Sequence, residues 1–515
     1  MPSRRDFIRA STVAGLWSCF GDLPEFWNPV SAAETEVSAD LVRLHPAIEP
    51  IVQLIEKTPR DQCFEMMVEQ LRKGLPYRQF LAALFLAGIR NVNPQPPGFK
   101  FHCVFVIHAV NQLSLDAPVG ERLLPLFWAL DYFKVAQQED INLGDFRLGP
   151  VSGNLPSPTQ AWDEFHAGME AWDAERADRA IVSLVRSRGS QEVIEGLWRY
   201  GARDFRNIGH KAIFVANSWR TLQTIGWQHA EPTLRSLVLG LLDFGKDKRV
   251  NEYAYEDQSY VSNVQRTREF LPKLPGDWTQ AVAQPSATVE ILNVIRSGDM
   301  QQACQTTVER FASGSASAQA VWDAVHLAAG ELMMQQQGIF GIHTVTSVNA
   351  LHSAFGTASQ PDNRLMLALQ GVGWMCQFHN FMAKASHGLK PIKITDLAAD
   401  TSPVAQSDAD SRQAIEKIMA LVSADAPAAA LSALGYAKSH PEPVHYMQAA
   451  RQLIFRKATD AHDFKYAAAI FEDYERVSPE WRPQMLATSV YHLSGSTLAD
   501  SPVMTRAKDA VKAIA

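Results

Sequence analysis

The sequence predicts an all-α protein, a multi-helix bundle with a C-terminal helical-hairpin subdomain. Three observations carry this. Apolar residues recur at spacings of three and four through most of the chain, the period of a helix that turns one face to a core. Alternating apolar and polar runs joined by Asn-Gly or Asp-Gly, which announce hairpins, do not occur. Ala, Leu, Gln, Glu and Met are plentiful in the periodic runs, and all five favour helix intrinsically.

The N-terminus is a separate matter. Ser3-Arg4-Arg5-Asp6-Phe7-Ile8-Arg9 resembles the twin-arginine export signal, Ser/Thr-Arg-Arg-x-Phe-Leu-Lys, with Ile8 and Arg9 as conservative replacements. An export signal needs a basic start, an apolar stretch and a small-residue cleavage site. Arg4, Arg5 and Arg9 supply the first, Thr12 to Phe20 the second and Ser31-Ala32-Ala33 the third. Such a signal is an address read by a receptor and not an anchor. The resemblance implies recognition by the twin-arginine export machinery and a periplasmic or otherwise exported protein that crosses already folded. Residues 1–33 are therefore set aside from fold reasoning.

The periodic runs follow in order: Leu71 to Ile89, Leu123 to Val135, Ala180 to Val185, Thr233 to Leu242, Ala318 to Met334 and Arg364 to Met382. Three breaks interrupt them: Gly144 to Gln160, Phe270 to Ala287 and Pro391 to Ser411, each rich in Pro, Gly, Asn or Asp. The expected organisation is a signal over 1–33, a histidine-rich helical core over 34–390, a linker over 391–412 and a C-terminal helical subdomain over 413–515. Lys465 to Tyr491 has the pattern of a helical hairpin, without the marker residues or the period of a tetratricopeptide array. A helical-repeat scaffold remains the alternative fold.

Composition narrows the function. Without its signal the chain keeps about 480 residues, enough for two or more sub-cores. The net charge is -7 and no basic run follows the signal, so nucleic-acid binding has no electrostatic support. No apolar stretch reaches the ~18 residues of a membrane span, so a soluble mature protein is expected. Cys63, Cys103, Cys304 and Cys376 are far apart, without CxxC or zinc-type spacing, and are expected as buried thiols. No GxGxxG or GxxxxGK[ST] follows a strand and no GxSxG occurs.

The chemistry-bearing residues are histidines embedded in apolar helical text: His102 and His108, His210, His326, His343 and His352, and His379. A buried imidazole needs partners for its nitrogens, and helical bundles build metal and substrate sites from side chains on facing helices. Neutral imidazole is both a metal ligand and a general base. Local spacing limits the options. His102 and His108 are six residues apart, about 120° around a helix axis, and His343 and His352 point to opposite sides. Neither pair alone chelates an ion, and there is no HExxH. Glu442 and His445 have the Glu-x-x-His spacing but sit at a proline-broken helix start, where capping is the expected role. The expected site is a pocket assembled from several helices. Two weaker candidates are His229 with Glu231 ahead of Pro232, expected as a helix start, and Arg203, Arg206 and Lys211 around Asp204, expected as a solvated face.

The histidine segments resemble the questin oxidase-like family, all-helical relatives of fungal anthraquinone-cleaving oxidases. His102-Cys-Val-Phe-Val-Ile-His108 is similar to that family's paired-histidine segment. Gly341-Ile-His343-Thr-Val-Thr346-Ser347 is similar to its Met-His-x-x-Thr-Ser helix, and Arg364-Leu-Met-Leu-Ala to its Arg-x-x-Leu-Leu run. Asp460-Ala-His462-Asp-Phe-Lys465 loosely echoes its Asp-x-His-x-x-Lys element. The resemblance implies an oxidoreductase that acts on an aromatic or quinone-like small molecule by Baeyer-Villiger-type oxygen insertion with NADPH. This chain has no recognisable nicotinamide or flavin fingerprint, and an exported protein meets little NADPH, so the cofactor is not carried over and a metal ion stays open. His343 and His108 would line the site, followed by His102, His210 and His326. The competing expectations are a non-catalytic helical scaffold and, third, a hydrolase or lyase using His229 and Glu231.

Overall fold

The computed structural model describes residues 38, 40–243, 254–385, 388–398, 408–440 and 442–514, with the side chains of 408–410 left aside. The expected export signal lies outside the described residues. Among those residues the chain forms 22 α-helices and no strand, and it is 75% helical. The all-α expectation holds. No helix among them is long and apolar enough to cross a membrane.

The breaks fall where Pro and Gly predict them. Residues 144–160 run irregularly between the helices Leu124–Leu143 and Ala161–Ala171. The helix Tyr255–Phe270 stops before the Pro-rich stretch, and the next α-helix begins with Pro285 in its first turn, where the missing N–H costs no bond. Of 391–411, only a single 3₁₀ turn at Ile394–Asp396 and the start of the helix Asp408–Leu421 are described. Cys63, Cys103, Cys304 and Cys376 are free and buried, as expected.

Four helices matter most for the site. His102–Leu115 packs on His210–Ile225, which packs on Ile339–Thr357; that helix packs on Ala461–Arg476, which returns to His102–Leu115. The four close a ring. The first three are apolar on nearly every side, the pattern of helices sunk in a core, and small side chains let them approach. Gly209, at the start of its helix, lies so near Ile339–Thr357 that a Cβ there would come within 2.6 Å of Ser347 Cβ. Ala461–Arg476 begins with a capping box, Asp460 and Asp463 serving each other's end of the turn.

One sequence expectation fails in the core. Arg203, Asp204 and Lys211 are buried and do not form a solvated face. Lys211 Nζ donates to Asp204 Oδ2 at 2.9 Å and to the Asp243 carbonyl at 2.6 Å. Arg203 stacks 3.8 Å over the Trp172 ring, and Arg206 forks onto Asp257. A run of charges is covered here because each cation finds an acid or an aromatic face, which is the condition for burying charge.

Candidate functional site

His102 and His210 are the first residues of their helices, His462 is the second of its helix and His343 the fifth. Four helix starts therefore meet at one end of the ring. Side chains lean toward the N-terminus of a helix, so these imidazoles project past the helix ends and into one another.

The backbone ahead of two of them is strained. Gly98 and Phe99 have φ of 126° and 47°, and Asn207, Ile208 and Gly209 have φ of 57°, 48° and 87°. Left-handed backbone is unusual for any side chain and an outlier for a β-branched one such as Ile208. It turns the Phe99 and Asn207 carbonyls toward the rings. His102 Nδ1–H donates to the Phe99 carbonyl at 2.7 Å, and His210 Nδ1–H donates to that of Asn207 at 2.5 Å. His343 Nδ1–H donates to the Ile339 carbonyl at 2.7 Å. A carbonyl only accepts, so each Nδ1 carries the proton. In a neutral ring each Nε2 then presents a lone pair.

Those lone pairs face one another. His210 Nε2 lies 3.1 Å from His102 Nε2 and 2.9 Å from His343 Nε2, and the three atoms all lie within 4.8 Å. The rings are neutral because burial, first of all, pushes each well below the ordinary histidine range. The Lys465 charge and the neighbouring imidazoles push the same way. The positive ends of four helices add to this. Three acceptors without a donor among them repel, whereas a cation at their meeting point binds all three. Nitrogens ~2.1 Å from one ion and at right angles about it are separated by about 3.0 Å, against about 3.4 Å for tetrahedral neighbours. The two closest separations match the right-angled case. The Nδ1 bonds to carbonyls are the outer contacts that orient a ligating histidine.

Beside the triad, His462 Nδ1–H donates to Asp460, and the His462 ring centroid lies 4.5 Å from that of His102 and 5.2 Å from that of His343. Its Nε2 is buried with no hydrogen-bond partner. Burial alone would raise the Asp460 carboxyl, but the His462 hydrogen bond and the nearby cations bring it down to about 2. Lys465, one turn further on, is fully buried and pushed down to about 7 by desolvation. A cleft of about 380 Å³ opens onto this group. His102, His210, His462 and Asp460 form its chemical wall, and Phe99, Tyr132, Val135, Ile208 and Ile339 its apolar one. Phe99, Val135 and Ile339 stand exposed on it.

The other expected residues lie elsewhere. His108 does not join the triad, because the turn of its helix carries it deeper into the ring, beside Arg220 and Lys465. His326 is likewise apart: its Nε2 meets His352 Nδ1 at 2.8 Å, its Nδ1 faces Asp473 at 3.4 Å, and His352 stacks on Trp322. His379 meets Asn380 at 3.4 Å. His229 and Glu231 part company, since Glu231 forks onto Arg186 and His229 meets His45 edge-on. Glu442 and His445 flank the start of the helix Val444–Lys457, but the expected capping does not occur: Pro443 is the N-cap and no side chain bonds the helix end. His462 and Lys465 are the residues that sequence reasoning left out of the site. The Asp460-Ala-His462-Asp-Phe-Lys465 echo was the signal that pointed to them.

No family model, curated protein or solved structure matches the chain.

Proposed function

We propose that the protein is an exported, metal-dependent oxidoreductase in which His102, His210 and His343 hold one divalent first-row ion, and that it acts on an aromatic or quinone-like small molecule. The observation that carries this is the meeting of three unprotonated Nε2 atoms at 2.9 and 3.1 Å. An all-imidazole set suits iron, copper, nickel or zinc, and right-angled spacing with only three protein ligands favours a six-coordinate ion with open positions, iron(II) foremost. Such an ion supplies a binding place for substrate oxygen and for dioxygen. Three neutral ligands leave its charge uncompensated, and four helix N-termini add positive potential, so the site favours a phenolate or enolate. The apolar wall of Phe99, Tyr132, Ile208 and Ile339 suits a flat ring. Asp460 holds the His462 ring beside the triad with its Nε2 unpartnered, so that this imidazole would serve as the proton acceptor of the site. The likeness of the His343 and Asp460-x-His462 segments to the questin oxidase-like family supports oxidative chemistry.

The test is metal analysis and oxygen uptake. Protein purified without chelator should carry stoichiometric iron. The apo form, reloaded anaerobically with iron(II), should consume dioxygen with a hydroxylated aromatic substrate and stop doing so in His343→Ala. Protein that binds no divalent ion, with unchanged stability in His→Ala variants, would mark a non-catalytic scaffold.

A further inference from the structure

The four-helix ring has a second chamber, behind the triad. His108 lies six residues, about 9 Å, further along its helix than His102, Lys465 one turn beyond His462, and Thr346 one turn beyond His343. With Gln112, Asn217, Arg220 and Asn349 they line a cavity of about 20 Å³, room for one particle somewhat larger than a water.

Lys465 Nζ and His108 Nε2 are both buried and neither has a hydrogen-bond partner. Of the amides around it, Asn217 Nδ2 donates to the Phe105 carbonyl at 3.1 Å, and Asn349 donates to Glu472 and Asp473 while accepting from Arg220 at 3.0 Å. Glu472 answers Arg220 at 3.2 Å and also pairs with Arg476, and Asp473 faces His326. For Lys465 the opposite charge that reaches it is Asp460, whose Oδ1 accepts from His462. A buried amine whose N–H groups have no acceptor carries a desolvation cost whether or not it is charged.

We infer that this chamber binds one small monovalent anion of chloride size, held by Lys465 Nζ and His108 Nε2–H. The anion supplies a hydrogen-bond partner to two buried nitrogens that otherwise have none. The site does not require the triad to be metal-loaded.

Bromide tests this directly. Full-length apo protein in halide-free gluconate buffer is titrated with sodium bromide at constant ionic strength, and its melting temperature is followed. A saturating rise is expected, absent when sodium gluconate is added in place of bromide and weakened at least about tenfold in apparent affinity in Lys465→Met, with His108→Asn intermediate and the metal capacity of both variants retained. Crystals grown with bromide should show its anomalous signal between Lys465 and His108. A melting temperature indifferent to halide, or a chamber holding only water in the presence of bromide, overturns the proposal. If Lys465→Met fails to fold, the wild-type anomalous map decides alone.

Discussion

Mild acid should unfold this protein through its histidines. His102, His210 and His343 are buried and His108 and His352 half-buried, and desolvation, ahead of every other cause, pushes each well below the ordinary value. The unfolded chain takes up a proton at each near pH ~6.5 while the native chain does not. Stability is therefore intact above that pH and falls as the pH drops below it, with a slope of about 1.4 kcal/mol per pH unit per histidine. Between about pH 7.5 and about pH 5.5 the five together cost about 7 kcal/mol, a large share of the roughly 5–15 kcal/mol that holds a typical domain. Asp460 does not contribute in this window, since it titrates at about 2. The assay is urea unfolding of chelator-treated protein at several pH values, with proton uptake on unfolding taken from the pH slope. A midpoint that stays level across the window, or an uptake below about two protons, would refute the claim that these rings are buried and neutral.

The same neutrality makes metal uptake nearly proton-free: at about pH 7, calorimetry in buffers of different ionisation heat should find close to no protons released, whereas a site of ordinary histidines releases a measurable fraction. His343→Ala removes a ligand and should weaken the ion by more than the 10–100-fold typical of outer contacts, read by competition with a fluorescent chelator. Gly209→Ala puts a Cβ 2.6 Å from Ser347 Cβ at a φ of +87° and should cost at least ~1–3 kcal/mol while also lowering metal affinity, since His210 moves with it. Lys211→Met strands Asp204 in the core and should cost about 3–5 kcal/mol, seen as a lower urea midpoint with an unchanged slope.

The helical architecture was legible because periodicity and breaker residues are local properties: the breaks at Pro285 and at 144–160 lie where the chain itself places them. The site was legible in part. His102, His210 and His343 stand out because imidazole in apolar helical text demands partners, and the 120° offset already separates His108 from His102. What the offset does not say is which helix each ring faces, so His108 and His326 were grouped with a triad they do not join. His462 was obscured by its neighbour: Asp460 is the helix cap, and only the packing of its helix against His102–Leu115 shows that the cap also aims an imidazole. Arg203 and Lys211 were assigned to solvent because charges usually are, and only tertiary contact with Trp172, Asp204 and Asp257 reverses that.

The triad's members lie 108 and 133 residues apart along the chain, and the fourth imidazole comes later still. A nascent polypeptide has none of this constellation until nearly its last helices have emerged and docked. At the proposed centre, ion uptake should thereby be a late event, coupled to the docking of all four helices of the ring.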